Sequence, residues 1–517
     1  MWQRTVFAAL IVVALLATAC TAPVAAPAAQ PQAAGGPDKV VIWSPGDNGT
    51  VADWNTDPIL AEVEKATNTD IEMVKLDWGT FVDQTNAAIA SGKVPDIIGV
   101  IDPNQRGLLE QWVADGVIVP FEGDAAAAAP NVLKPYAVNP SLGELKVGGK
   151  VYFQPVSWGD GQYPNMGLIH VRKDLLDKYG MAAPDTFQQY FDYLKKCIDS
   201  DDGSGVVFAG STGVGPAINA FAGAQGAPMS GWAKTANGFE FWATQPGIKD
   251  ALLLFREMMA QGLVDPGVWE MDGDKSRTPY VSGSACSLIF NGGGHIGRIQ
   301  NDMALVNPSF QELLLPALDA GKGSRGYLSE PMFWGTTQMA GMKNNNPVAA
   351  ARVLNYLTSP EGLKLTAVGI EGRDYAMKDG EIVLLDQRMK DGFPTEAGNT
   401  GAHPLASTIV SWVPQDWQNW QLLYGKDAAF KDWFNAMWDN QGKYQIPSYG
   451  LLTTSPKWNE FQATSNDLVN RAFLEIVKAD SAEGAAARYD QFVKEWQAAG
   501  GADAQTEMSA VLSGIYK

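Results

Sequence analysis

The stretch from Val40 to Ile101 constrains the fold most, because its apolar spacing switches between two periods. Val40-Val41-Ile42-Trp43 is a short continuous apolar run, the pattern of a strand buried on both faces. Pro58–Thr67 reads as a helix that Thr56 or Asp57 is placed to cap, and Ile71–Leu76 alternates as a strand. Thr80 and Asp83 then have the spacing that satisfies free N–H groups at a helix start. Phe81, Val82, Thr85, Ala88 and Ile89 give that helix one apolar face. Gly92 suits the left-handed turn that ends a helix, and Pro95 forbids its continuation. Ile97, Ile98, Val100 and Ile101 form another buried-strand run. Alternation of this β-α-β-α-β kind predicts a parallel sheet with helices on its faces. Ligands bind outside the carboxyl ends of such strands, and Asp102 and Asn104 leave Ile101 at that edge.

The amino end has a different chemistry. Arg4, an apolar run from Val6 to Leu16 and small residues up to Ala19 read as a signal peptide over residues 1–19, too short to span a bilayer comfortably. Leu16-Ala17-Thr18-Ala19-Cys20 resembles a bacterial lipobox, which implies lipidation of Cys20. Its Ala17 stands where the usual box has Leu, and an ordinary signal peptide cleaved at Ala-Thr-Ala is the other reading. Thr21–Pro37 is mostly Ala, Pro, Gln and Gly without charge or period, so residues 20–38 read as an anchored spacer that builds no core. The expected location is extracytoplasmic, anchored to a bacterial cell membrane.

The chain of 517 residues is long enough for two lobes, with 46% apolar and 18% charged residues as in ordinary globular proteins. A net charge of −19 repels phosphate backbones, so no nucleic-acid partner is expected. Cys197 and Cys286 are too few for a disulfide framework; whether they pair is open, and the default reading is two buried thiols. His170, His295 and His403 have no metal-ligand spacing, so neither metal nor cofactor is expected.

Several phrases resemble one family, the extracellular solute-binding proteins of sugar importers. Ser91-Gly92-x-x-Pro95-Asp96-Ile97 is one, and Trp43 followed by Gly46-Asp47-Asn48-Gly49 is similar to the first turn of maltodextrin-binding proteins. Gly149–Pro155 resembles the strand that crosses between lobes, Leu168–Leu176 the opening of the second lobe, and Ser359-Pro360-Glu361-Gly362 a helix start after the return. Gly369–Tyr375 with Lys378-Asp379-Gly380 resembles the large lipoprotein branch that binds oligosaccharides, aldouronates and alginate. The resemblance implies an α/β, two-lobed periplasmic-binding-protein fold with a hinge and a helical C-terminal extension. The expected lobes are 39–153 plus 308–372 and 154–307 plus 373–517. It implies a non-enzymatic, monomeric receptor that delivers an oligosaccharide to ABC permease subunits. The competing readings are a surface-anchored hydrolase and a binder of another ligand such as an oligopeptide.

Candidate ligand residues follow. The resemblance places Trp43, Asp47 and Asn48 at the first turn and Asn291, Gly292 and His295 at the second lobe's cleft edge. Trp158, with Asp160 beside it, Trp334 and Trp412 sit in irregular stretches, where an indole face can stack on a sugar ring. Trp433, Trp438 and Trp496 lie instead in helical stripes and are expected in the core.

Two motifs carry competing readings. Gly292-Gly293-Gly294-His295-Ile296-Gly297, with Glu312 beyond it, formally satisfies a dinucleotide fingerprint, although an exported protein meets little nucleotide. Asp199-Ser200-Asp201-Asp202-Gly203 opens like a calcium loop but lacks the closing Glu.

Overall fold

Two separate sheets organise the chain from Asp38 onward. The computed structural model describes residues 36–45, 55–77, 80–101, 105–138, 140–157, 168–290, 294–321, 324–328, 333–385, 405, 428, 431–432, 434–436, 443–451 and 453–516. Strands β1 (Asp38–Pro45), β2 (Thr69–Leu76), β3 (Ile97–Ile101) and β4 (Phe153–Ser157) precede β5 (Leu168–Arg172) and β6 (Val206–Val207). After them come the hairpin β7 (Trp232–Thr235) and β8 (Gly238–Phe241), then β9 (Ser287–Phe290), β10 (Glu312–Leu314), β11 (Tyr327–Leu328) and β12 (Phe333–Met339). The first sheet has the order β2-β1-β3-β12-β4 and the second β10-β5-β9-β6.

In the first sheet β1, β2 and β3 are parallel, as the alternating pattern requires. Asp57 caps the helix Pro58–Thr67, its Oδ1 accepting from Ile59 N at 2.8 Å. Thr80 does not make the expected bond to its own helix N–H groups; its hydroxyl donates to Asp77 and accepts from Gln84 instead. Gly92 has φ +72°, the left-handed turn expected after Phe81–Ala90. Pro95-Asp96 has a structural reason to precede β3. The Asp96 carboxylate accepts from Val41 N and Asn346 N, both at 2.8 Å, and so ties β1 to the start of the helix Pro347–Leu357. Gly99 is required by close approach, since a Cβ there would lie 2.5 Å from the Trp43 carbonyl oxygen.

The chain enters the second sheet after Ser157 and is back in the first by Phe333. One apolar core runs from Ile169 to Leu318 and takes in Trp458–Leu512, so the C-terminal helices Pro456–Val477, Ala482–Trp496 and Ala502–Ile515 pack with the second sheet. Two further clusters serve the first sheet, built from Val40–Phe153 with Met339–Leu357 and Leu405. Tyr489, Phe492 and Trp496 are buried, and the Trp496 ring stacks on Phe241 at 4.9 Å between centroids. Phe434 is buried too, while Trp433 and Trp438 lie outside the described residues.

Three polar features differ from expectation or settle an open point. Cys197 and Cys286 are joined in a disulfide rather than standing as two thiols; it ties the end of Phe187–Asp199 to the residue before β9. Small apolar size and burial are shared by free and bridged cysteines, so composition could not separate the two. Glu312, the acid a dinucleotide reading needs, is wholly buried and hydrogen-bonded to His170 Nδ1. Burial pushes its carboxyl up from the ordinary value, and the bond to His170 opposes that. In the would-be calcium loop, Asp202 is held by Lys178 and Tyr179, and Asp199 by Lys195.

Candidate ligand-binding groove

Register brings the ends of several strands to one edge of the first sheet. Trp43 pairs with Ile98 in parallel β1 and β3, Ile101 lies opposite Thr336 in antiparallel β12, and Phe333 lies opposite Ser157 of β4. Pro45, Ile101, Ser157 and Phe333 therefore end or begin at the same edge. In the second sheet Leu168 pairs with Phe290, so the residues after Phe290 leave from the edge at which the chain arrives. The predicted ligand residues Asp47, Asn48, Asp102, Asn104, Trp158, Asp160, Asn291, Gly292 and Trp412 lie outside the described residues, as does Cys20. Trp334 is the second residue of β12 and His295 falls in the first turn of Gly294–Val306. Trp43 is half-buried and packs against the cluster of Phe81, Ile98 and Trp112.

Beside this edge lies a groove that sequence reading did not find. Its larger part has a volume of about 580 Å³ and its smaller part about 370 Å³, within the range of small-molecule sites. The two share Met229, Trp242 and Asn466 in their walls. Arg106 and Gly107, in the first turn of the helix that follows β3, form one end, and Asn219 and Phe473 line the other.

The helix Pro456–Val477 supplies one long wall. Ser455 caps it by accepting from Trp458 N, and Pro456 occupies the first turn, where its missing N–H costs nothing. Trp458, Phe461, Ser465, Val469, Ala472 and Phe473 are buried. Asn459, Gln462, Asn466 and Asn470, spaced three, four and four residues apart, form an amide stripe along the groove. Trp242, which directly follows the β7–β8 hairpin, lines the same groove and is half-buried between Phe241 and Phe473, with both ring centroids at 5.7 Å. Asn219 projects from the helix Gly215–Ala224.

Hydrogen-bond accounting separates structural from available groups. Three of the five Arg106 guanidinium N–H groups are committed, to Glu110, to the Leu145 carbonyl and to the Lys146 carbonyl at 2.9, 3.3 and 3.0 Å. Gln462, Asn466, Asn470 and the 5%-exposed Asn219 have no side-chain hydrogen bond among the described residues. Thr453 Oγ1 is buried in the same wall and likewise lacks a partner. Of these, Asn219 and Thr453 Oγ1 are buried, where an unpaired polar group is costly unless a ligand or water completes it, while Asn466 and Asn470 are exposed. Each amide offers two donors and an acceptor, which matches the mixed donor and acceptor character of a hydroxyl. The amide stripe was legible in the sequence as a polar row beside an apolar one. Nothing local showed that Trp242 and Asn219 line the same groove.

A two-lobed α/β fold with a polar, aromatic-lined groove at the strand ends defines a ligand-capturing binding protein. The chain belongs to the bacterial extracellular solute-binding protein family, whose model matches residues 33–364. It is 25% identical over 364 residues to the lipoprotein LipO of Bacillus subtilis, covering 64% of this chain and 67% of that one. Its fold is similar to the alginate-binding protein AlgQ2 (TM-score 0.71, 18% identity, 92% of this chain and 98% of that). It is also similar to the substrate-binding protein FusA of S. pneumoniae in complex with kestose (TM-score 0.68, 18% identity, 92% and 98% of the two chains).

Proposed function

We propose that this protein is the lipid-anchored receptor of an ABC importer and captures an oligosaccharide in the groove between its lobes. The observation that carries the reading is a groove walled by the amides of Asn459, Gln462, Asn466 and Asn470 together with the Trp242 ring. Amides serve hydroxyls and the indole face serves the apolar C–H surface of a sugar ring. The proposed lobes are built around the two sheets, β2-β1-β3-β12-β4 in one and β10-β5-β9-β6 in the other. Capture by closure of two lobes needs a hinge and no nucleophile.

The test is a thermal-shift and calorimetric screen of the mature protein with oligosaccharides, with chromatography of the sugar afterwards. Saturable one-to-one binding with the sugar recovered intact is the expected result. Product formation supports the hydrolase instead, and response to oligopeptides alone moves the reading to another ligand class.

Anchoring rests on Cys20, which follows an apolar run and precedes an uncharged Ala/Pro spacer. Cys20→Ser is expected to leave the precursor uncleaved or to shift the protein to the soluble fraction, read by membrane fractionation and immunoblot. A processed variant that stays with the membrane removes the lipid anchor.

A further inference from the structure

The groove runs lengthwise along one helix. Asn459, Gln462 and Asn466 of Pro456–Val477 line its larger part, and Asn466, Asn470 and Phe473 of the same helix line its smaller part. These positions advance by three or four residues at each step, so they share one face of the helix. From Asn459 to Phe473 that face is about 21 Å long, close to four turns. The two parts meet where Met229, Trp242 and Asn466 line both. Each part also holds a polar group left unsatisfied by folding. Thr453 Oγ1, buried and without a partner, lines the larger part only. Asn219, 5% exposed and without a side-chain hydrogen bond among the described residues, lines the smaller part only. A small ligand seated in one part leaves the group in the other unpaired, whereas an extended ligand reaches both.

We infer that this receptor binds a linear saccharide lengthwise along Pro456–Val477, about one sugar ring per helical turn, and so selects chains of about four rings over mono- and disaccharides. The inference rests on the saccharide reading above and deepens it. A sugar ring with its glycosidic oxygen advances on the order of 5 Å, close to the helical pitch of about 5.4 Å. Successive amides at Asn459, Gln462, Asn466 and Asn470 then meet hydroxyls of successive rings. Asn459 already accepts from Thr454 through its carbonyl oxygen, but its amide nitrogen makes no hydrogen bond among the described residues. Trp242 lines both parts and serves the middle of the chain. One amide–hydroxyl bond corresponds to about three- to tenfold in affinity, so binding climbs with each ring that reaches a further amide.

The test is calorimetric titration of the mature protein with ladders of one to six rings of malto-, xylo- and fructo-oligosaccharides and oligogalacturonates. Expected is that at least one ladder binds, with its tetrasaccharide held at least about tenfold tighter than its disaccharide. Asn459→Ala and Asn470→Ala remove amides about 16 Å apart along the helix, further than a disaccharide reaches. Each is expected to weaken the tetrasaccharide about three- to tenfold, while the disaccharide responds to one of them at most. Both side chains are exposed, so the unliganded melting curves of the variants are expected to stay within about 2 °C of the unaltered protein. A mono- or disaccharide held as tightly as its tetrasaccharide overturns the inference and leaves the saccharide receptor standing. So does a tetrasaccharide that ignores either substitution, or a disaccharide that responds to both. Failure of every ladder to bind overturns the saccharide reading, and this inference with it.

Discussion

Reducing the Cys197–Cys286 disulfide, or replacing both residues with serine, lowers the thermal midpoint of the protein by roughly 10 °C. The bond closes a loop of 89 residues, which contains Val206–Val207, the β7–β8 hairpin and the helices around them. In the loop-entropy account a closure of that length stabilises the folded state by about 4–5 kcal/mol. For a lobe of a few hundred residues each kcal/mol moves the midpoint by about 2–4 °C. Phe187–Asp199 and β9 are held by the same core, with Leu194, Cys197, Leu288 and Ile289 buried in it, so the reduced lobe still folds. Calorimetric scans with and without reductant measure the difference. Coincident scans would show that the packing alone fixes this corner of the lobe.

The second large effect falls on binding. Trp242→Ala is expected to weaken ligand affinity about thirtyfold while lowering the thermal midpoint only modestly. Trp242 is half-buried, unlike Trp232 and Trp496, which are 1% exposed, so part of its ring is free to meet a ligand. One indole face covering on the order of 80 Å² of apolar surface, at about 25 cal/mol per Å², corresponds to about 2 kcal/mol. That energy is a factor of about thirty in the dissociation constant. A purely structural Trp makes the opposite demand, a loss of about 3–5 kcal/mol in stability with affinity unchanged. Titration of the variant with whichever sugar the screen identifies, alongside its unliganded melting curve, distinguishes the two. Phe492→Leu serves as the control, since Phe492 is fully buried and is not among the groove's lining residues.

Sequence reading left Trp242 unassigned and the pairing of Cys197 and Cys286 open, and the reason is physical. Apolar periodicity reports which side of a local element is buried, and it correctly ordered β1, Pro58–Thr67, β2, Phe81–Ala90 and β3 into a parallel sheet. The same signal put Tyr489, Phe492 and Trp496 in the core. Caps are shorter in range still, yet Thr80 shows that even a local pattern yields when neighbouring side chains, here Asp77 and Gln84, compete for the same hydroxyl.

The sequence by itself determined the alternation of strands and helices, the edge from which the chain leaves Ile101, and phrases enough to place the chain in its family. Only the tertiary structure decided what meets across space. Cys197 and Cys286 are 89 residues apart and His170 and Glu312 are 142 apart, and no local period links such pairs. Arg106, Asn219, Trp242 and Asn466 come from four different elements, each regular by its own rules, and share a groove because one packing arrangement buries all their apolar faces together. Burial is additive along an element and so is readable locally. The space left over between elements is a property of how all of them pack at once.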